Sequence, residues 1–151
     1  MRVYLPAVAA ELGSPHGLAA RAGHAVTPAL RASSPGESEE DLEVPAFLAA
    51  AASSLTALTD ADLPLRVVVS ADVDDAAPVP GPDLTQVEVP AISWSAVVSI
   101  HVDDPDDASA QATVSSAVGG DDEAAAAADE LDLLWYDASE RSALRDRLEA
   151  L

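Results

Sequence analysis

Alternation of apolar and polar positions is clearest at residues 65–75, LRVVVSADVDD. Under a two-residue period Val67, Val69, Ala71 and Val73 share one face, while Val68, Ser70 and Asp72 share the other. A β-branched run closed by acidic turn formers predicts a strand, since a helix needs a longer stretch of 3.6-residue period. Residues 96–104, AVVSIHVDD, repeat the pattern, with Val98, Ile100 and Val102 on the inner face and Ser99 and His101 on the outer. The segments align without a gap, which puts Ser99 and His101 in the places of Ser70 and Asp72. If the two strands lie side by side in matching register, Asp72 and His101 meet. Two short copies fall short of the roughly three units a repeat architecture needs, so the likeness assigns faces and nothing more.

Further elements follow from the same periods. Arg2 to Leu5 is a short strand, and Ala7 to Leu12 a short helix broken by Gly13, Ser14, Pro15 and Gly17, which leaves His16 in a loop. His24 to Leu30 reads as a strand that Pro28 confines to an edge or an end. A helix starting near Glu43, with Pro45 in its first turn, presents Val44, Phe47, Leu48, Ala51, Leu55 and Leu58 as one stripe; a kinked, earlier start stays open. Val87 and Val89 alternate with Gln86 and Glu88 in a strand that pairs with Leu65 to Val73 across a proline-rich loop. Weak helices are expected at residues 108–118 and 121–130. Leu131 to Tyr136 is a strand with Leu131, Leu133 and Trp135 on one face, and Ser139 opens a last helix. In that helix Arg141, Arg145 and Arg147 stand among acids three or four residues away.

These elements predict an α+β fold: a single two-layer domain over residues 1–151, built on a mixed or antiparallel sheet of about four to six strands. Helices are expected mainly on one face, with the helix around Phe47 and the C-terminal helix both covering it. The interspersed order argues against a doubly wound nucleotide fold.

Composition narrows the chemistry. The formal charge is -20, from 27 acids against seven arginines and no lysine, so the field repels DNA, RNA and anionic membranes, and neither nucleic acid nor membrane is expected as a partner. A basic protein partner or a divalent cation is electrostatically allowed. Without cysteine there are no disulfides or thiolate sites, and His16, His24 and His101 lack metal-ligand spacing. No basic leader with an apolar core opens the sequence, and no apolar run is long enough to span a bilayer, which is read as a cytoplasmic protein.

The ordered segments RVYLP at residues 2–6, AVTPALR at 25–31, RVVVSADV at 66–73, WSAVVSIHVDD at 94–104 and LLWYDASE at 133–140 resemble a family of small, acidic actinobacterial proteins of unknown function. The resemblance spans most of the chain. It implies an actinobacterial, cytoplasmic origin and no activity, and it carries over no functional residue.

Two kinds of site are expected. Asp72, Asp74, Asp75, His101, Asp103 and Asp104 are candidates for a divalent-cation or hydrolytic site, because hard cations take carboxylate oxygens and a histidine beside carboxylates can share a proton. No EF-hand loop, GxSxG elbow or glycine-rich phosphate loop supports them, and strand-end aspartates also serve as solvated turn residues. The second kind is a non-catalytic binding or regulatory module that meets a basic partner through an aromatic anchor, Trp94 or Trp135. The second is the preferred expectation, with no catalytic residue and no cofactor required; a divalent cation belongs to the alternative.

Overall fold

A computed structural model describes residues 1–151. One antiparallel sheet of seven strands runs through the chain. Its strands are β1 (Arg2–Ala7), β2 (Arg21–Ala25), β3 (Val67–Asp72), β4 (Ala77–Pro78), β5 (Gln86–Val89), β6 (Val97–Asp103) and β7 (Leu133–Asp137). The spatial order is β4-β5-β2-β1-β3-β6-β7. Five α-helices accompany it: α1 (Pro28–Ser33), α2 (Glu39–Ala57), α3 (Ala108–Val118), α4 (Asp122–Asp129) and α5 (Arg141–Glu149). The sheet thus exceeds the expected four to six strands by one, the two-residue β4, which no alternation announces; the expected strand at residues 131–136 is present as β7.

Strand faces fall as the alternation predicts except at Val98 of β6, where a register shift opposite Ser70 and Ala71 brings Val97 into the core instead and leaves Val98 half-buried. Val3, Leu5 and Ala7 of β1 stand opposite Ala71, Val69 and Val67 of β3, and Ile100 and Val102 of β6 continue the same face. This is the main core, closed from outside by Leu12, Leu18 and Ile92 and by Leu144 and Leu148 of α5. The C-terminal helix therefore covers the face opposite α2, and the expected two layers become three. Its apolar residues meet the larger core, and Arg141 pins it there by donating to the Leu12 carbonyl at 2.7 Å.

On the other face Tyr4 and Val68 receive α2. The helix starts earlier than near Glu43: Ser38 caps it, accepting from the Asp41 N–H at 3.1 Å, and Glu39, Glu40 and Asp41 sit favourably at the positive end of the dipole. Pro45 consequently lies inside the helix and leaves the Asp41 carbonyl without its usual donor. The buried face is also rotated from the expected stripe. Ala46, Ala50 and Ser54, four residues apart, point at the sheet and Leu42 packs on Val26 and Leu30; of the expected stripe Ala51 and Leu58 are buried and Phe47 is half-buried, while Val44 and Leu48 are exposed. Small side chains let the helix backbone approach the sheet, an advantage that a count of large apolar residues overlooks.

Two further expectations change. His24 belongs to β2, but Pro28 is the first residue of α1, capped by Thr27, whose hydroxyl accepts from the Leu30 N–H at 3.1 Å. The strand after the proline-rich loop, β5, pairs with β2 and β4 instead of β3, whose two sides are taken by β1 and β6.

Ser54 ties these layers together. Its buried hydroxyl donates to the Ala7 carbonyl at 2.8 Å and accepts from the Val67 N–H at 2.9 Å, so one side chain holds α2 to the ends of both β1 and β3. Ser54→Ala strands a buried donor and acceptor and is expected to cost about 1–3 kcal/mol, measured by urea unfolding. A loss near zero would mean that those backbone groups find other partners.

Candidate functional site

The six carboxylate and histidine candidates do not converge. β3 and β6 are neighbours, but they run antiparallel, so their matching acidic ends lie at opposite ends of the strand pair. His101 stands opposite Val68, four residues from Asp72, a separation of about 13 Å along the strand. Asp72 is instead gripped by Arg2, which donates to its two oxygens at 2.7 and 3.3 Å; this hydrogen bonding holds the Asp72 carboxyl below its ordinary range. Asp74 and Asp75 are exposed in the turn that follows. Asp104 accepts from the Asp106 N–H at 2.9 Å and shapes the turn into α3. No group of three or more histidine and acidic side chains is placed to hold a metal ion.

Asp103 has a different role. It is fully buried and meets Arg66, itself 2% exposed. One carboxylate oxygen accepts from the Arg66 backbone N–H at 2.7 Å and from Nε at 3.0 Å, and the other accepts from the guanidinium at 2.7 Å. The same guanidinium reaches the Leu131 carbonyl at 3.2 Å. Its lone pairs are committed to Arg66, which leaves Asp103 unsuited to a cation.

The two tryptophans part company. Trp94 donates from Nε1 to the Ser14 carbonyl at 2.6 Å, packs against the main core and carries the Arg141 guanidinium 4.3 Å from its ring centroid. It is a structural post between α5 and the loop after the first 3₁₀ turn, Ala9–Gly13. Trp135 is 61% exposed on β7, opposite His101. His101 in turn touches Phe47, centroids 4.8 Å apart, and Trp135 stands opposite His101, so Phe47, His101 and Trp135 form a row across β6 and β7 on the α2 side of the sheet. Val44 and Leu48, both more than half exposed, flank Phe47 on α2.

His101 is held neutral there. Burial pushes it down to about 4, and its Nε2 lies 3.0 Å from the Ser99 hydroxyl.

The second histidine cluster was invisible in the sequence. His24, 5% exposed, has Nδ1 at 2.8 Å from the Thr85 hydroxyl and Nε2 at 2.9 Å from the Ser53 hydroxyl. Thr85 donates its proton to Asp83 at 2.7 Å, and an Asp83 oxygen lies 3.6 Å from Nδ1. Because the Thr85 proton is spent on Asp83, its oxygen must accept from His24, which places the imidazole proton on Nδ1. Nε2 is then the acceptor, and Ser53 donates to it. Burial lowers the His24 pKa, with Asp83 opposing. The four residues come from β2, α2 and the loop before β5, and no motif joins positions 24, 53, 83 and 85. The one local signal is Asp83 and Thr85 around a turn, a pattern too common to single out.

A model for a family of unknown function, DUF6912, matches residues 1–144. The chain belongs to this family. No curated protein and no solved structure matches it. The DUF6912 match thus covers all seven strands and ends inside α5, so the sheet, the Arg66–Asp103 pair, the His24 cluster and Trp135 all lie within it.

Two outcomes are expected. Asp103→Ala leaves a buried guanidinium without its carboxylate and should cost about 3–5 kcal/mol in urea unfolding, whereas the paired Arg66→Met, Asp103→Leu change should recover much of that loss. For His101 the folded value of about 4 lies below the ordinary 6.5, so the unfolded chain binds more protons between them. Its stabilisation is complete above about pH 6.5 and declines as pH falls toward about 4. Melting temperature should therefore drop between about pH 6.5 and about pH 5, where carboxylates hardly titrate. His101→Gln should flatten part of that drop, and an unchanged slope would remove His101 as its source.

Proposed function

We propose that this protein is a non-catalytic binding module that receives a basic, extended segment of a partner protein along β7, in a cytoplasmic setting, with Trp135 as the anchor. The exposed Trp135 on an edge strand carries the reading. β7 is the last strand of the sheet, so one side of its backbone has no neighbouring strand. The opposite edge is guarded: β4 has two residues and is followed by Pro80 and Pro82. At β7 no proline or lysine intervenes, and Leu134 and Trp135 are exposed on its two faces. An added strand gains main-chain hydrogen bonds and pockets for alternate side chains.

Charge selects the partner. Six arginines are salt-bridged, to Asp72, Glu11, Glu39, Asp103, Asp146 and Asp106, and Arg141 lies on Trp94. No arginine is left over to balance the remaining acids, which include Asp132 and Asp137 at the ends of β7. A second copy of so acidic a chain is repelled, whereas a lysine- or arginine-bearing segment is attracted.

The test is fluorescence titration with a panel of extended peptides that alternate lysine or arginine with apolar residues. Trp135 reports binding because Trp94 is already fixed. Binding should weaken with added salt, and Trp135→Ala should weaken it by about 2 kcal/mol or more with little change in melting temperature. Peptides that bind equally well without Trp135, or none that bind at all, would remove this reading.

A further inference from the structure

The His24 cluster has the connectivity of a nucleophile, a base and a carboxylate, and we propose that Ser53 is an activated serine that takes up one acyl group from an activated ester without turnover, a modification site independent of the binding edge at β7. Three observations point there. Ser53 is partly exposed on α2, while His24, which its hydroxyl meets, is buried. The hydroxyl is turned away from its own helix: Thr56 and Thr113 each donate to the carbonyl four residues back, whereas Ser53 reaches across to His24 Nε2 at 2.9 Å. The far nitrogen of the ring is oriented through Thr85 by Asp83, which favours the imidazolium that forms when the serine proton moves.

The step balances without another reactant. Ser53 Oγ attacks the ester carbonyl carbon as its proton passes to His24 Nε2. The tetrahedral adduct then collapses, the carbon–oxygen bond to the leaving group breaks, and the departing oxygen takes the proton from Nε2. The products are acyl-Ser53 and an alcohol or phenol. Ser53 is the nucleophile and His24 the base; Thr85 and Asp83 are positioning residues. The burial that favours neutral His24 keeps Nε2 available as an acceptor at neutral pH.

The experiment treats the full chain with p-nitrophenyl acetate and, separately, with an alkyl fluorophosphonate, and maps the adduct by peptide mass spectrometry. A single adduct on Ser53 is expected, absent in Ser53→Ala and formed about a hundredfold more slowly in His24→Gln. Asp83→Asn, at a partly exposed carboxylate outside the core, should slow it at least about tenfold with folding intact, and it decides the matter if His24→Gln does not fold. The wild-type rate should be level between about pH 7 and about pH 8, because His24 is already deprotonated, whereas an unassisted hydroxyl gains about tenfold per unit. Labelling spread over other serines, no label at Ser53, or equal rates in Asp83→Asn would each overturn the proposal.

Discussion

The Arg66–Asp103 pair is the constraint on which the arrangement of chain segments depends. Arg66 immediately precedes β3, Asp103 ends β6, and the Leu131 carbonyl reached by the same guanidinium lies just before β7. Three points where the chain enters or leaves the sheet are thereby held at one buried charge pair. Such a pair does little for net stability, because desolvation offsets most of the attraction. What it supplies here is uniqueness: a one-residue slip of β6 along β3 would separate a buried carboxylate from its five-donor partner while turning Ile100 and Val102 away from the core.

Much of the sheet was legible because alternation is local. Val67 to Ala71 and Val98 to Val102 announce buried strands by themselves, and α3 occupies residues 108–118 as its pattern and its Asp107 cap require. Strand direction is not local. The likeness of the two acidic strand ends suggested one site, and the antiparallel pairing of β3 and β6 disperses it, leaving Asp72 with Arg2 and Asp103 with Arg66. The rotation of α2 had a related cause. Hydrophobicity favours Val44 and Leu48, but close packing on a sheet favours Ala46, Ala50 and Ser54, and distance decided. The His24 cluster lay beyond sequence reasoning for a third reason, since each of its members is an ordinary residue until the fold brings positions 24, 53 and 83–85 together.

Charge and packing divide the surface. The arginines are used within the chain, as clasps between β1 and β3, between the 3₁₀ turn at residues 9–13 and β2, and between α5 and the turn before α3. The acids they leave over give the chain its net charge of -20. On the α2 side of the sheet the exposed large apolar side chains are Val44, Leu48 and Trp135, near the half-buried Phe47 and His101.

The central place of β1 carries a consequence for how the molecule forms. β1 precedes in the chain both strands that flank it, and β3 lies some sixty residues further on. During synthesis Val3, Leu5 and Ala7 therefore emerge long before Val67, Val69 and Ala71 can cover their side of the sheet, with only β2 to pair against. Closing that distance loses chain entropy before contact returns anything, so acquisition of the native state is governed by a late, long-range docking event. Until then an apolar nascent strand with an open edge is held apart from its neighbours in the cell chiefly by the acids that follow it.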